Sequence, residues 1–367
     1  MVFLDALRLA SALFVLFHHA YDQWFSTHLE TSKKISSAGH AAVVVFFVLS
    51  GFVISYTANS KNRGGNLYAQ ARLSRLCSIM IPALLFTAIA EIILKSSDSY
   101  LYEMYSRGSS FPRYILSGLF LNEIWFFSAA PPINGPLWSL GYEFWYYTIF
   151  GLYLYRPKGL KSLMLPLAAC LIAGPKILLM MPIWLAGVLV YIIPRPSFNR
   201  FTSWVLVVVS LVFAVTMVIY LKPFPNPLGK APFFYSNQFL TDWVVGLFIA
   251  LSLWFMPIET KFTTESNFTK KFRKVADLTF PIYVLHYPLL VLYRLTCNYN
   301  LYDLMQMWQA LGVVLLISVL LGILLESQRF YWVQVFKYLF RSGKRVFNLA
   351  MPFGLGKVNE SCSHRFN

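Results

Sequence analysis

Apolar runs of about twenty residues recur along this 367-residue chain, and they leave it few folds to choose from. A helix needs that length to cross a hydrocarbon core of about 30 Å, and inside lipid each backbone N–H and C=O must find its partner within the segment. Ten runs qualify, at about 2–20, 40–58, 76–94, 137–155, 162–177, 178–194, 203–221, 238–257, 278–297 and 308–328. With 57% hydrophobic residues and 13% charged, the chain has too little polar side chain to keep those runs soluble. The sequence therefore predicts an all-α, polytopic membrane helix bundle over 1–328 and a basic amphipathic cytoplasmic tail over 329–367. The first run carries Asp5, Arg8, His18 and His19 with no small-residue cleavage site after it, so it reads as a retained helix and not as a signal peptide.

An eleventh apolar stretch, 114–128, holds Asn122 and Glu123 and runs into Pro131-Pro132. Charge decides its status. If it does not cross, 22 of the 31 Lys and Arg fall on the side of the tails and the loops 59–75, 156–161, 195–202 and 258–277, against 9 on the other. Basic residues stay cytoplasmic, so both termini are placed inside and 114–128 is expected to be re-entrant or interfacial. The net charge of +16 then reflects orientation and contact with anionic lipid headgroups, and no nucleic-acid partner is expected. In the tail, Lys337, Arg341, Lys344 and Arg345 share one helical face and Trp332, Phe336, Leu339 and Phe340 the other, so the segment should lie along the inner surface. Cys77, Cys170, Cys297 and Cys362 lack disulfide or zinc spacing, and no metal site is expected.

Function enters through charges that lipid should not hold. Asp5, Arg8 and His19 fall at spacings that return to nearly the same helical face, with Arg8 and His19 roughly 16 Å apart at 1.5 Å per residue. Ionisable groups in a membrane helix are expensive unless they pair or face water, so this line marks a site. An enzyme and a solute or proton transporter both fit it. Transporters of this size usually carry repeated halves with matching broken helices, and no repeat is visible.

Four signatures then narrow the choice: LDALR with His19 eleven residues after Arg8, VFFVLSGF at 45–52, PLWSLGYEFWYY at 136–147 and FPIYVLHYPLL at 280–290. Together, in this order, they resemble the acyltransferase 3 family of membrane O-acyltransferases. The resemblance implies transfer of an acyl group, commonly acetyl, from cytoplasmic acyl-CoA to a hydroxyl of a cell-surface or lipid-linked glycan, in a bacterial inner membrane. A small-molecule acceptor such as a macrolide is the alternative. Two features depart from the family pattern: Pro82 falls seven residues after Arg75 instead of three after it, and Val44 stands where an acidic residue is common.

The roles follow the chemistry. His19 is expected to act as general base toward the acceptor hydroxyl, with His18 as alternate and a covalent acyl-histidine route left open. Arg8 meets anionic donor groups or pairs with Asp5 or Glu143, and Glu143 either pairs with Arg8 or orients the histidine. Arg72 and Arg75, three apart in QARLSRL, are assigned to the CoA phosphates because fork-shaped guanidinium groups suit phosphate oxygens. Ser50 is expected on the donor side, where its neighbour Gly51 points to close helix packing. Tyr283 and His286 are given supporting roles around a Pro288 kink. Asp5, His18, Trp138 and Ser139 complete the expected polar lining, and His40 is placed at the outer end of its helix, where an acceptor could arrive.

Overall fold

The computed structural model describes residues 2–25, 29–60, 64–257, 267–297 and 299–350, with the side chains of 29–34, 36 and 342–350 left aside. Among the described residues the chain is helical and carries no strand. The helices are α1 Val2–Phe25, α2 Leu29–Ser60, α3 Gly65–Ser97, α4 Ser99–Tyr105, α5 Ser110–Gly118, α6 Trp138–Leu154, α7 Met164–Ala173, α8 Pro175–Ile192, α9 Arg200–Tyr220, α10 Phe239–Trp254, α11 Asn267–Asp277, α12 Thr279–Thr296, α13 Leu304–Ser327 and α14 Arg329–Ala350. α2 packs against α1, α8 and α10, while α12 packs against α1, α3 and α13. α1 thus stands between the two sets and faces both.

Seven helical stretches are long and apolar enough to cross a membrane: Val2–Phe25, Ser37–Ser60, Gly65–Ser97, Pro175–Ile192, Arg200–Tyr220, Asn267–Thr296 and Leu304–Arg341. The other three expected spans fall on shorter helices, Trp138–Leu154, Leu160–Ala173 and Phe239–Trp254. Local chemistry shortens two of them. Gly174, at φ 79°, and Pro175 end α7 and start α8, dividing the 162–177 run. α6 starts only after the Gly135-Pro136 turn and spends its length in the interior, with Tyr142 and Tyr146 fully buried.

The 114–128 stretch forms no spanning helix. α5 ends at Gly118, and the chain then runs irregularly to Asn134 with Asn122, Glu123 and Asn134 wholly buried. Irregular backbone at that depth must be satisfied from within the protein. Trp125 N donates to Ala173 O at 3.0 Å, Ala129 N to Asn122 O at 2.8 Å, and Arg113 Nη1 to the carbonyls of Ser128 and Ala130 at 3.1 Å each. Asn134 Nδ2 donates to Thr87 and to Val284 O, tying the segment to α3 and α12. Lys176 of α8 inserts among these groups, paired with Glu123 and bonded to Phe127 O, and both partners of the ion pair have no exposed surface.

The α2–α8 crossing is set by two glycines. A Cβ on Gly51 would lie 2.0 Å from Trp184 O, and one on Gly187 would lie 1.9 Å from Val48 O. Backbone meets backbone there, so no side chain can turn aside to make room. Gly51→Ala is therefore expected to push the helices apart and cost about 1–3 kcal/mol, the range for overpacking. A lowered melting temperature of the detergent-purified protein checks this, and unchanged melting would refute the close crossing.

α14 continues the chain past α13 and docks along α3: Gln70 Nε2 donates to Val333 O at 3.2 Å, and Gln328 Nε2 to Ser78 O at 2.7 Å. The tail expected over 329–367 is therefore helical to Ala350. Lys344, Arg345 and Cys362 lie outside the described side chains, while Cys77, Cys170 and Cys297 are free thiols.

Candidate active site

Two cavities flank α6 and α12, and they share no lining residue. The first, of about 150 Å³, is lined by Arg8, Ser50, Arg72, Arg75, Glu143 and Tyr283 within an apolar wall from α2, α3 and α12. Three arginines from two helices converge on it. Arg8 is tied at its base, with Asp5 at 3.8 Å, Asp277 at 3.9 Å, and hydrogen bonds to Ala276 O and Thr279. Asp5 itself also reaches Arg273 at 3.9 Å, so it anchors the arginine and stays out of the cavity lining. Arg72 donates to Thr57 at 3.0 Å and leaves its Nε buried without a partner. Arg75 sits over the Phe280 ring, and no carboxylate lies within 4 Å of Arg72 or Arg75 among the described residues.

Glu143 differs from what the sequence suggested. It makes no ion pair with Arg8 and does not touch a histidine; its carboxylate accepts from Ser50 Oγ at 2.7 Å and from the Tyr147 hydroxyl. The Trp184 indole N–H donates to Ser50 at 3.2 Å. Glu143 sits one helical turn before Tyr147, so backbone geometry delivers that hydroxyl first, and α2 supplies the second. The hydroxyl of the LSGF serine thus joins α2 to α6, by donating to Glu143, and to α8, by accepting from Trp184, beside the glycine that lets α2 and α8 meet.

The second cavity holds the histidine. About 400 Å³ in volume, it is lined by His19, Asp22, Arg107, Trp138, Tyr287 and Arg294, among others. His19 stacks on His286, with ring centroids 5.2 Å apart, and meets Tyr287 edge-on at 5.1 Å. His286 Nδ1 lies 2.6 Å from Tyr283 O and 3.2 Å from Ile282 O. Carbonyls only accept, so Nδ1 carries the proton and Nε2 keeps a lone pair, buried and without a protein partner. Pro288 falls inside α12 just beyond. His18, by contrast, is buried against α2: a Cβ on Gly39 would lie 2.3 Å from its ring, and its Nε2 is 3.6 Å from Asp22. It lines neither cavity, although its ring lies 4.4 Å from that of His19.

A thin layer separates the two spaces. Ser139 Oγ and Tyr283 Oη are 2.8 Å apart, and the tyrosine hydroxyl also reaches Pro136 O at 3.0 Å. Ser139 and Tyr283 face the arginine cavity, whereas Pro136 and Trp138 face the histidine cavity. Trp138 is clamped between Tyr235, stacked at 4.5 Å, and His40 at 5.6 Å. His40 in turn is bonded to Asp242 at 2.9 Å, with both buried, which ties it to α10. The face that α1 offers in sequence therefore opens into two compartments, Arg8 into one and His19 into the other.

The sequence profile described as an acyltransferase domain, that of the acyltransferase 3 family, matches residues 1–326. The chain belongs to this family. No curated protein and no solved structure matches it. The family match takes in both cavities and all four signature segments, so this acyltransferase 3 protein is a membrane-embedded acyltransferase whose polar groups lie within the helical bundle.

Some site residues escaped the sequence. Arg294 is a charge inside an apolar helix and was open to the rule that singled out Arg8. Arg107 sits in the short link between α4 and α5, where nothing in the local pattern sets it apart. His18, His19 and Asp22 also bring one ligand atom each within 4.8 Å of one another, an arrangement able to hold a divalent ion.

Proposed function

We propose that this protein is an O-acyltransferase that takes an acyl group, acetyl by preference, from cytoplasmic acyl-CoA and places it on a hydroxyl of a cell-surface or lipid-linked glycan. The observation carrying this reading is the opposition of an arginine-lined cavity and an imidazole-lined cavity across the Ser139–Tyr283 layer. Arg72 and Arg75, with Arg8 behind them, supply the positive charge that CoA phosphates require, and the thioester arm points toward Tyr283. The acceptor occupies the other space and offers its hydroxyl to His19.

His19 accepts the hydroxyl proton while the oxygen attacks the thioester carbonyl. A carbon–oxygen bond forms, the carbon–sulfur bond breaks, and the departing thiolate takes the proton back from the imidazolium. Free CoA and an ester result. His286, its ring stacked on His19 and its Nδ1 fixed by two backbone carbonyls, holds the base in place. Ser139 and Tyr283, the two hydroxyls in the layer, are the donors nearest the seam where a carbonyl oxygen would gain charge. The route uses no metal ion. The charge distribution supports a bacterial inner-membrane location with both termini cytoplasmic, which puts the arginines on the side where acyl-CoA is found.

The test is release of free CoA from labelled acetyl-CoA by purified full-length protein in nanodiscs, with EDTA present, on adding glycan or lipid extract. Acceptor-dependent release supports the reading. Solute movement without release would assign transport instead. Arg75→Gln is expected to raise KM for acetyl-CoA roughly tenfold or more, from loss of a charged hydrogen bond worth about 1.5–3 kcal/mol, with kcat changed much less. An unchanged KM would remove this arginine from the donor site.

A further inference from the structure

The histidine cavity carries more positive charge than proton transfer needs. Arg107, from the α4–α5 link, and Arg294, from α12, both line it, and neither has a carboxylate within 4 Å among the described residues. Asp22, the acidic residue in that lining, lies on α1 beside His18. Arg294 is also held in place: its Nη1 donates to Tyr105 Oη at 2.6 Å, its guanidinium stacks 4.0 Å over the Tyr299 ring, and its Nε is buried with no acceptor. A fixed guanidinium with an unused donor edge is a site for an oxyanion, because the planar fork pairs with carboxylate and phosphate through two parallel hydrogen bonds.

The rest of the lining suits a sugar ring. Tyr105, Tyr235 and Tyr287 provide aromatic faces for C–H groups and hydroxyls for a polyol edge, within a volume in the usual range for small-molecule sites. Tyr287 also touches His19, so the ring platform and the base belong to one wall. A neutral saccharide would leave the partly buried Arg294 guanidinium without a counter-charge, while Arg107, more exposed, adds positive charge at the rim.

Building on the acyl-transfer reading, we propose that the acceptor is an anionic saccharide, whose carboxylate or phosphate is held by Arg107 and Arg294 while a neighbouring hydroxyl is presented to His19. Charge, not ring identity, is then the first determinant of which sugar enters.

Wild-type protein in nanodiscs is offered glucose, glucuronate and glucose 1-phosphate, and both melting temperature and acetyl-CoA-dependent ester formation are read. At least one anionic sugar is expected to raise the melting temperature and to be acetylated at least tenfold faster than glucose; the better of the two tells carboxylate from phosphate. Arg107→Gln, at an exposed link position that folding tolerates, should cut that preference at least tenfold, and Arg294→Lys should retain more of it than Arg294→Gln. Equal treatment of glucose and both anionic sugars would overturn the proposal, as would a preference untouched by Arg107→Gln. Stabilisation by anionic sugars, lost in Arg107→Gln but with no ester from any sugar or extract, would uphold the anion site and defeat the acyl-transfer reading instead.

Discussion

If His19 is the base proposed above, His19→Ala is expected to cut transfer to the acceptor roughly 10²–10⁴-fold in kcat, the range for removing a positioned general base. His19→Gln should do no better, because an amide keeps the shape and the polarity but cannot take up a proton at neutral pH. Expression and a monodisperse elution profile should survive, since the His19 ring lines a cavity and makes no side-chain hydrogen bond that ties helices together among the described residues. His18→Ala is the informative contrast. That ring is wedged against α2 at Gly39, so its loss should lower melting temperature more than it lowers kcat. A His19→Ala enzyme with full turnover, or a reversal of the two phenotypes, would put the base elsewhere.

The second large effect is structural. Lys176→Met leaves the Glu123 carboxylate buried with only Ser128 to donate to it, and removing one partner of a buried ion pair typically costs about 3–5 kcal/mol. The irregular 119–134 segment should loosen with it, because Lys176 also ties down Phe127 O. Glu123→Gln combined with Lys176→Met removes both charges and should recover most of the lost stability. Thermal melting of the single and double variants by fluorescence-detected size exclusion makes the comparison. If the single variant melts with the wild type, the pair contributes nothing and the segment is held by its backbone bonds alone.

The bundle was legible in the sequence because hydrophobic length and helix geometry act locally. What local pattern could not show was where an apolar run stops being helix: Gly174-Pro175 divides one run, and the Gly135-Pro136 turn delays another, which accounts for two of the three expected spans that are short. The charges were legible as exceptions, and their partners were not. Glu143 was read against Arg8 and a histidine, yet a tyrosine one turn along its own helix and a serine on α2 reach it. Glu123 was seen and Lys176, 53 positions away, was not. Arg8 and His19 were placed on one face of α1, and that geometry gave no hint that a layer from α6 and α12 would part them.

That parting has a physiological consequence. A membrane enzyme hollowed from one side to the other would drain the proton gradient of the cell that carries it. On the acyl-transfer reading proposed above, the two spaces meet at a pair of hydroxyls beside a clamped indole, and a fragment of a few atoms would be handed across that layer with no continuous channel needed. On that reading, widening the layer would cost the cell more than damaging either space, because it would add a leak to the loss of activity.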